Sequence, residues 1–401
     1  MKIVYLAYWG VNDGLTVSVI NPHLQLLMKY ENLEKIYFVT IERGEDRKAR
    51  FLDFDKNQII KHLPLISKNH KINLLNKTND FILFPKLLGE ILDLNKINLL
   101  FTHGMVSGSL AYLTCVKRKI PYIVFAEPHS QFMLESGVWR KSDPRYLFQK
   151  KWEKKQIQTA EKLYSVTKNY YKFLKKYHQL TDNRIGLGPN AVNLNEFSFN
   201  LNKRNEIRSK LNIPNDSVVG IYVGKFGGIY LESEAFDIFE ECQRHFNSKF
   251  KTIILSPQDP EEIMSLCKLD IVKSNYIIRK VEHHEVNEYL SAADFGFSMQ
   301  NPKESNKYLC PLKNGEYWAN GLPILIIDGV GDDTEIIKME GGGAVFNLEN
   351  NQSLTQAIIQ ISQIIDKVEN RSNNVPRSLA EKYRNINLIS EIFDEHIGEK
   401  S

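Results

Sequence analysis

Short apolar runs alternate with amphipathic segments along almost the whole chain. Segments such as "SEAFDIFEECQRHF" and "HEVNEYLSAAD" have helical periodicity, whereas the apolar runs have the β-branched and aromatic composition of strands. The predicted strands are "KIVYLAYW", "KIYFVTI", "INLLFTHG", "PYIVFAEPH" and "KLYSVT" in the first half, and "VVGIYVGKF", "KTIILSP", "NYIIRKV", "FGFSMQ", "PILIID" and "GAVFNL" in the second. This alternation predicts βαβ units built around parallel sheets.

The predicted strands are too many for one sheet of ordinary width. We therefore predict an α/β chain with two Rossmann-like doubly wound domains that face each other across a cleft. The break is expected in "GLGPNAVNLNEF", where Gly and Pro interrupt the pattern. The predicted domains cover residues 1–188 and 189–377, and a final helical segment, 378–401, is expected to pack back on the first domain.

Composition places the chain among ordinary globular proteins, with 401 residues, 42% hydrophobic and 25% charged. The net charge of +4 argues against a nucleic-acid binder with a globally basic surface. No apolar run is long enough to cross a bilayer, and "MKIVYLAYWGVNDG" fits a first strand and turn better than a signal peptide. The cysteines at 115, 242, 267 and 310 have no CxxC spacing, which favours reduced buried thiols in a cytosolic protein.

A fixed cation and a fixed anion precede one of the predicted core strands. In "CPLKNGEYWANGLPILI", Lys313 and Glu316 stand three positions apart, directly before the apolar run that begins at Pro323. On a helix this spacing allows the two side chains to pair with each other. The other interpretation is that they hold a charged ligand, because loops after strands line the ligand crevice of doubly wound folds.

A glycine-rich turn follows the first predicted strand of the second half. In "YVGKFGG", residues 222–228, Gly224 would let backbone N–H groups approach an oxyanion, and Lys225 would add a cation. The segment is neither GxGxxG nor a Walker loop, so a plain strand–turn–helix connection remains an alternative.

Several of these segments together resemble the retaining glycosyltransferases of the two-domain GT-B fold, in the large "glycosyl transferases group 1" (family 4-like) superfamily. The 186–197 segment resembles the interdomain pattern "PNGVDxxxF", and "YLSAADFGF" and "DGVGDDTEII" match the family's helix-to-strand join and its continuation. The matches occur in the family's order and cover most of the second half. The family's donor-binding pattern "PxKxxEYxAxGxPV" is matched by Pro311, Lys313, Glu316, Tyr317, Ala319, Gly321 and Pro323.

The resemblance implies that the second domain binds a nucleotide-diphosphate sugar. Glu316 would bind the ribose hydroxyls, and Lys313 and Lys225, with the turn at Gly224, would neutralise the diphosphate. Tyr308 stands where the family often has a first Glu, so that carboxylate's role does not carry over. Main-chain groups near Tyr308 and Leu309 are expected to face the phosphates instead.

By the same resemblance, the first domain binds the acceptor, a glycan or a lipid-linked sugar. Gly10 in "YWGVNDGL" resembles the family's first glycine loop, which approaches donor phosphate and acceptor, although the usual double Gly is absent. His129 in "FAEPHSQ" aligns with a family histidine beside the reacting sugar, and His103 also follows a predicted strand. We therefore expect His129, Lys225 and Glu316 to be the catalytic residues, with His103 and His129 binding the acceptor.

No cofactor or metal is expected beyond the co-substrate, for which UDP or GDP is the expected nucleotide. GT-B enzymes usually work without a metal, and "DFD", which contains Asp53 and Asp55, lies in a polar context typical of a solvated segment. Adjacent His283 and His284 should point to different sides of a helix, as surface residues rather than a metal pair.

A basic segment follows the His129 loop. From Arg140 to Arg184 there are thirteen Lys or Arg and four Asp or Glu, an excess of nine, so the rest of the chain is negative by about five (4 − 9). An amphipathic helix that covers a sheet is predicted by residues at helical spacing, namely Leu147, Phe148, Trp152, Gln156, Thr159 and Ala160. The alternative is a contact with an anionic membrane surface, to which each Lys contributes about 1 kcal/mol.

The sequence thus predicts a retaining hexosyl- or related glycosyltransferase of polysaccharide biosynthesis. We expect it in the cytoplasm, or on the inner face of the membrane as a peripheral protein. Two alternatives remain: a sugar-nucleotide epimerase of the same fold, and a non-catalytic binder of nucleotide sugars or glycans, which the Tyr308 departure would favour.

Overall fold

The computed structural model describes residues 1–43, 59–68, 73–267, 273–367 and 370–398, without the side chains of 73–75 and 273. Within these residues the chain divides into two compact units. The first unit comprises Met1–Pro189 together with Asn387–Ser401, and the second comprises Asn190–Ile386. Each unit is built around its own parallel sheet, so the predicted α/β fold class is confirmed.

The first unit contains a seven-stranded sheet in the order β3-β2-β1-β4-β5-β6-β7. The central strands β4 and β5 are buried along their whole length, as expected for parallel strands that are covered on both faces. The order reverses between β1 and β4, which is where doubly wound sheets bind ligands. The strands are β1 Lys2–Leu6, β2 Lys35–Glu42, β3 Ile60–Ile66, β4 Leu99–His103, β5 Tyr122–Ala126, β6 Lys162–Ser165 and β7 Ile185–Leu187.

The second unit contains a six-stranded sheet in the order β10-β9-β8-β11-β12-β13. Its reversal lies between β8 and β11, which pair in parallel. Apolar clusters lie on the two faces of this sheet, one around Trp318 and the other around Phe239. The strands are β8 Val218–Val223, β9 Phe250–Leu255, β10 Tyr276–Arg279, β11 Phe295–Ser298, β12 Ile324–Ile327 and β13 Gly343–Phe346.

The helices join successive strands. The first eight are α1 Asn21–Leu27, α2 Asn73–Asn95, α3 Met105–Cys115, α4 His129–Glu135, α5 Pro144–Thr159, α6 Lys168–His178, α7 Leu201–Lys210 and α8 Glu234–Phe246. The remaining helices are α9 Pro260–Ser265, α10 Val286–Ala292, α11 Leu312–Ala319, α12 Asp333–Glu340, α13 Asn351–Asp366, α14 Val375–Tyr383 and α15 Asn387–Ile397. In the described part of the chain, none is long and apolar enough to cross a membrane.

The C-terminal segment is two helices rather than the single helix predicted from Ser378 onward. Helix α14 ends at Tyr383, and Val192 pairs with the backbone next to Arg384, which interrupts the helix before α15 begins. Helix α15 belongs to the first unit. There the Tyr30 hydroxyl donates to Asp394 at 2.5 Å, and Phe393 is buried.

All four cysteines are free thiols. Cys115, Cys242 and Cys310 are buried as predicted, whereas Cys267 is partly exposed.

Candidate donor and acceptor sites

The turn after β8 brings the backbone close to a lysine of helix α11. Gly224 has a φ of 143°, a conformation that L-residues rarely adopt, and a Cβ added there would lie 2.9 Å from Nζ of Lys313. Only glycine combines this backbone with so little bulk. The close approach leaves the ammonium facing main chain at the carboxyl end of β8.

Lys313 is a buried cation without a hydrogen-bond partner. It is 8% exposed, and within the described residues its Nζ atom has no acceptor. Nζ lies 4.5 Å from the ring centroid of Tyr222 and 4.2 Å from that of Tyr230, so two aromatic faces are its closest compensation. Burial lowers the pKa of the ammonium to about 7, although the charge of Glu316 opposes the shift. An anion bound here would supply the missing partner.

Glu316 lies one turn along α11 and is paired with a histidine instead of with Lys313. Its Oε1 atom is 3.2 Å from Nε2 of His283, and ion pairs among the described residues do not include Lys313 with Glu316. The predicted alternative, an intrahelical Lys313–Glu316 salt bridge, is therefore wrong. Burial opposes the charged imidazole, but the hydrogen bond to Glu316 and the charges of Glu316 and Glu196 raise the pKa of His283 above its ordinary value.

A buried ion pair between Arg384 and Asp333 supports the start of helix α11. Both Oδ atoms of Asp333 accept hydrogen bonds from Arg384, at 2.5 and 2.7 Å, and Oδ2 also accepts from Asn314 of α11 at 2.8 Å. Arg384 also contacts the sulfur of Cys310, just before the helix begins. These bonds hold the start of α11, and with it Lys313, in one position.

The remaining predicted donor residues occupy less specialised positions. The Lys225 side chain is exposed, while its carbonyl accepts from the Tyr222 hydroxyl at 2.5 Å. Tyr308 ends a short 3-10 turn, Glu304–Tyr308, and is half-buried. The expectation that main-chain groups near Tyr308 and Leu309 face the phosphates stays a prediction. The Leu309 amide donates to the carbonyl of Asn306 at 3.0 Å. It completes the turn.

The first unit contains a cavity of about 520 Å³. It lies at the carboxyl ends of β1, β4 and β5, because Trp9, His103 and Glu127, which line it, follow or end those strands. This is the ligand-binding edge of a doubly wound sheet. The structure therefore places both predicted acceptor residues, His103 and His129, in one cavity.

Both histidines of this cavity are neutral at physiological pH. Burial lowers the pKa of His103 to about 4, and its Nδ1 atom has no hydrogen-bond partner among the described residues. Burial and then the charge of Lys77 lower the pKa of His129 to about 4. Burial also raises the pKa of the Glu127 carboxyl. Neutral imidazoles next to a carboxyl group are suited to hydrogen bonds with hydroxyl groups.

The predicted glycine loop in the first unit is held by a carboxylate. Oε1 of Glu42 accepts from the amide of Val11 at 3.0 Å, and a Cβ on Gly10 would lie 2.6 Å from Oε2 of the same residue. Gly10 is therefore required by this close contact. Gly14, the second glycine of the loop, has nothing near its absent Cβ.

Several residues at these two sites were not predicted from the sequence. His283 was predicted to be a surface residue, yet it is partly buried beside Glu316, whereas His284 is exposed. Tyr230 and Glu127 were not singled out. Glu127 stands two positions before His129, at the end of the same predicted strand, and this position could have identified it as a site residue. The described residues contain no cluster of metal-binding groups, and Asp53 and Asp55 lie outside them.

Solved structures similar to this chain match it over almost its whole length. Sucrose-phosphate synthase from Thermosynechococcus elongatus is 14% identical with a TM-score of 0.71, covering 98% of this chain and 99% of that one. Anabaena HepE in complex with UDP-glucose is 11% identical with a TM-score of 0.70, covering 98% of each chain. UDP-GlcNAc 2-epimerase from Neisseria meningitidis, bound to UDP-GlcNAc, is 14% identical with a TM-score of 0.63, covering 98% and 99%.

No protein-family model and no curated protein sequence matches the chain. At such low identity the structural likeness establishes a shared fold of two Rossmann-like domains.

Proposed function

We propose that the protein is a glycosyltransferase that moves a sugar from a nucleotide-diphosphate donor to a hydroxyl group of an acceptor. The observation that carries this proposal is the buried, unpartnered ammonium of Lys313 beside the backbone of Gly224. A charge left without a partner in the interior is costly, and a diphosphate would remove that cost. The similar structures that hold UDP-glucose or UDP-GlcNAc support a donor of this class.

The donor would lie along helix α11. Lys313 would neutralise the diphosphate with help from Lys225 and the turn at Gly224, and Glu316 would accept hydrogen bonds from the ribose hydroxyls. These cations act on the leaving group because negative charge develops there as the bond to the anomeric carbon breaks. His103, His129 and Glu127 of the first unit would bind the acceptor.

We infer transfer with retention of configuration, without a metal ion. The bond from the anomeric carbon to the diphosphate oxygen breaks, and the acceptor oxygen bonds to the same face of that carbon. The acceptor's proton passes to the leaving phosphate. His129 would steady the sugar or the acceptor, and its neutral imidazole suits that task better than general-base chemistry near pH 7.

Thermal shift with UDP-, GDP-, ADP- and TDP-sugars identifies the donor, because a ligand that binds the folded state raises its melting temperature. The decisive variant is Lys313→Met. It removes a buried unpartnered charge, so we expect a protein more stable by about 1 kcal/mol that binds UDP about tenfold to a hundredfold less tightly. Lys338→Met, at an exposed position, is the control: it should leave UDP binding unchanged and, because it breaks an exposed pair with Asp328, lower stability by less than about 1 kcal/mol. Unchanged binding of UDP by Lys313→Met would refute the proposal.

A sugar-nucleotide epimerase is the second candidate, supported by the structural likeness to UDP-GlcNAc 2-epimerase. Such an enzyme converts its nucleotide sugar with no acceptor present. Incubation of the purified protein with the donor alone separates the two functions. Isomerisation would favour the epimerase, whereas turnover that depends on an added acceptor would favour the transferase.

A further inference from the structure

Helix α5 of the first unit buries polar side chains beside Tyr146 and Ile157, and it exposes two adjacent apolar side chains. Gln149 and Gln156 are buried and donate to the carbonyl of Met105 at 3.0 and 2.9 Å. Leu147 and Phe148 are 54% and 55% exposed. The predicted buried face of this helix is therefore correct for Gln156 and Ala160 and wrong for Leu147 and Phe148, because hydrogen bonds to α3 turn the glutamine side inward. An exposed apolar stripe of this kind marks an interaction site.

Aromatic rings continue this stripe into the cavity described above. Phe148 stacks on Trp152 at 5.7 Å between ring centroids, and Trp152 stacks on Phe81 of helix α2 at 4.7 Å. All three residues line the cavity. The wall is thus a continuous apolar surface that leads from solvent to the strand ends where His103 lies.

The mouth of the cavity combines apolar and cationic groups. Ile82 and Val138, which line it, are 62% and 53% exposed. Lys77 and Arg145 line it as well, and the Arg145 guanidinium is ion-paired with Asp143 at 2.5 Å. Glu127 is the single carboxylate among the described lining residues of the cavity. Helix α5 adds exposed lysines, including Lys151. Apolar groups ringed by cations complement a ligand that carries a hydrocarbon chain and a phosphate.

We propose that this cavity binds a lipid-linked acceptor, whose phosphate lies at Lys77 and Arg145 and whose hydrocarbon chain lies along the Phe81–Trp152–Phe148 wall. The membrane that carries this lipid would contact the exposed apolar residues at the mouth. A free glycan can stack on aromatic rings but gains little from exposed aliphatic side chains such as Ile82 and Val138, whereas a prenyl or acyl chain is stabilised by contact with both. The role of this lipid as an acceptor rests on the proposed glycosyl transfer, whereas the binding of the lipid to this cavity does not.

The test is co-sedimentation of the full chain with phosphatidylcholine vesicles that contain undecaprenyl phosphate. Parallel vesicles contain the same mole fraction of phosphatidylglycerol or of uncharged undecaprenol. We expect strong binding to the polyprenyl phosphate and at least tenfold weaker binding to the other two. Equal binding to phosphatidylglycerol would overturn the proposal, because it would indicate a general attraction to anionic surfaces. If undecaprenol binds as strongly as its phosphate, the proposed phosphate site at Lys77 and Arg145 is wrong.

Helix α2 offers a matched pair of variants. Ile82 lies at the cavity mouth, and Leu94, which is 83% exposed, lies twelve residues further along the helix, about 18 Å away. Both positions are exposed, so an aspartate at either should fold. We expect Ile82→Asp to reduce vesicle binding at least tenfold and Leu94→Asp to leave it unchanged. Equal effects of the two variants would contradict the proposed site.

UDP binding, measured on the same variants, keeps this proposal separate from the proposed function. Ile82→Asp should bind UDP like the unmodified chain. If the unmodified chain binds the polyprenyl phosphate but no nucleotide, the glycosyltransferase proposal fails and the lipid site stands. If it binds nucleotide but fails to prefer the polyprenyl phosphate, the lipid site alone is wrong.

Discussion

Nε2 of His283 lies 3.2 Å from Oε1 of Glu316, so the carboxylate expected to hold the ribose already has an imidazole partner. Glu316 is nearly buried, and His283 packs its ring against Phe197 at 5.6 Å. The imidazole therefore holds the carboxylate in one orientation before a ligand arrives. Groups placed in advance lose less entropy when they bind.

We expect His283→Ala to lower stability by about 1–2 kcal/mol at acidic pH. Because the folded state raises the pKa of His283, this stabilisation is complete below the ordinary value of about 6.5 and is lost as the pH rises through the raised value. Urea unfolding of both proteins across this pH range measures the difference. The hydrogen bond to Glu316 and the charges of Glu316 and Glu196 raise the pKa of His283. Glu316→Gln should therefore largely remove the pH dependence of the stability that His283 contributes.

The exposed neighbour His284 supplies the control, and His284→Ala should leave stability unchanged at every pH. His283→Ala should also weaken UDP binding, because Glu316 loses its orientation. Full UDP affinity in this variant would show that the histidine does not position the ribose site.

Lys313 should take up a proton when a diphosphate binds above neutral pH. Burial lowers its pKa to about 7, so the ammonium is increasingly lost above that pH in the free protein, and the anion restores it. Calorimetry of UDP binding in buffers with different ionisation enthalpies should report close to one proton at alkaline pH and almost none at acidic pH. Affinity should fall by up to about tenfold per pH unit above the pKa.

Lys313→Arg tests the assignment of this proton, because the guanidinium stays charged throughout the range. When UDP binds to this variant, no proton should be taken up at position 313. The same uptake in Lys313→Arg as in the unmodified chain would assign the titration to another group.

The sequence predicts all six strands of the second sheet and misses the two edges of the first. Every apolar run predicted as a strand contains one: the central parallel strands are buried on both faces, and the edge strands β10 and β13 of the second sheet also have short apolar runs. The prediction missed β3 and β7, which are the two edge strands of the first sheet. Polar residues and Pro64 interrupt the apolar pattern of β3, and β7 has only three residues. Both features are typical of sheet edges.

The candidate donor site was predictable where its residues share one segment. Lys313 and Glu316 stand together in the chain, but the rings of Tyr222 and Tyr230 reach Lys313 from about ninety residues away, through the pairing of β8 with β11. The same holds for His283. No local pattern distinguishes it from His284, because the carboxylate that engages it lies on another helix.

Arg384→Met should destabilise the second unit by about 3–5 kcal/mol, because it leaves the buried Asp333 carboxylate without its cation. Thermal or urea unfolding without ligand measures the effect. Lys338→Met breaks an exposed pair with Asp328 and should cost less than about 1 kcal/mol. The double variant Arg384→Met/Asp333→Leu should recover much of the loss. If it does not, the importance of Arg384 lies in its packing and not in its charge.

Gly224→Ala and Gly228→Ala separate backbone strain from access to the ligand. Both glycines lie in the turn after β8 with positive φ, 143° and 66°, so both variants should lose about 1–3 kcal/mol of stability. A Cβ at Gly224 would lie 2.9 Å from the Lys313 ammonium, whereas one at Gly228 would meet nothing within 4 Å. Gly224→Ala alone should therefore reduce UDP affinity, by at least about tenfold, since the methyl group occupies the space that a phosphate oxygen needs. Calorimetry at one temperature, well below both melting points, compares the two. Equal losses of affinity would mean that strain in the turn, and not its closeness to Lys313, controls nucleotide binding.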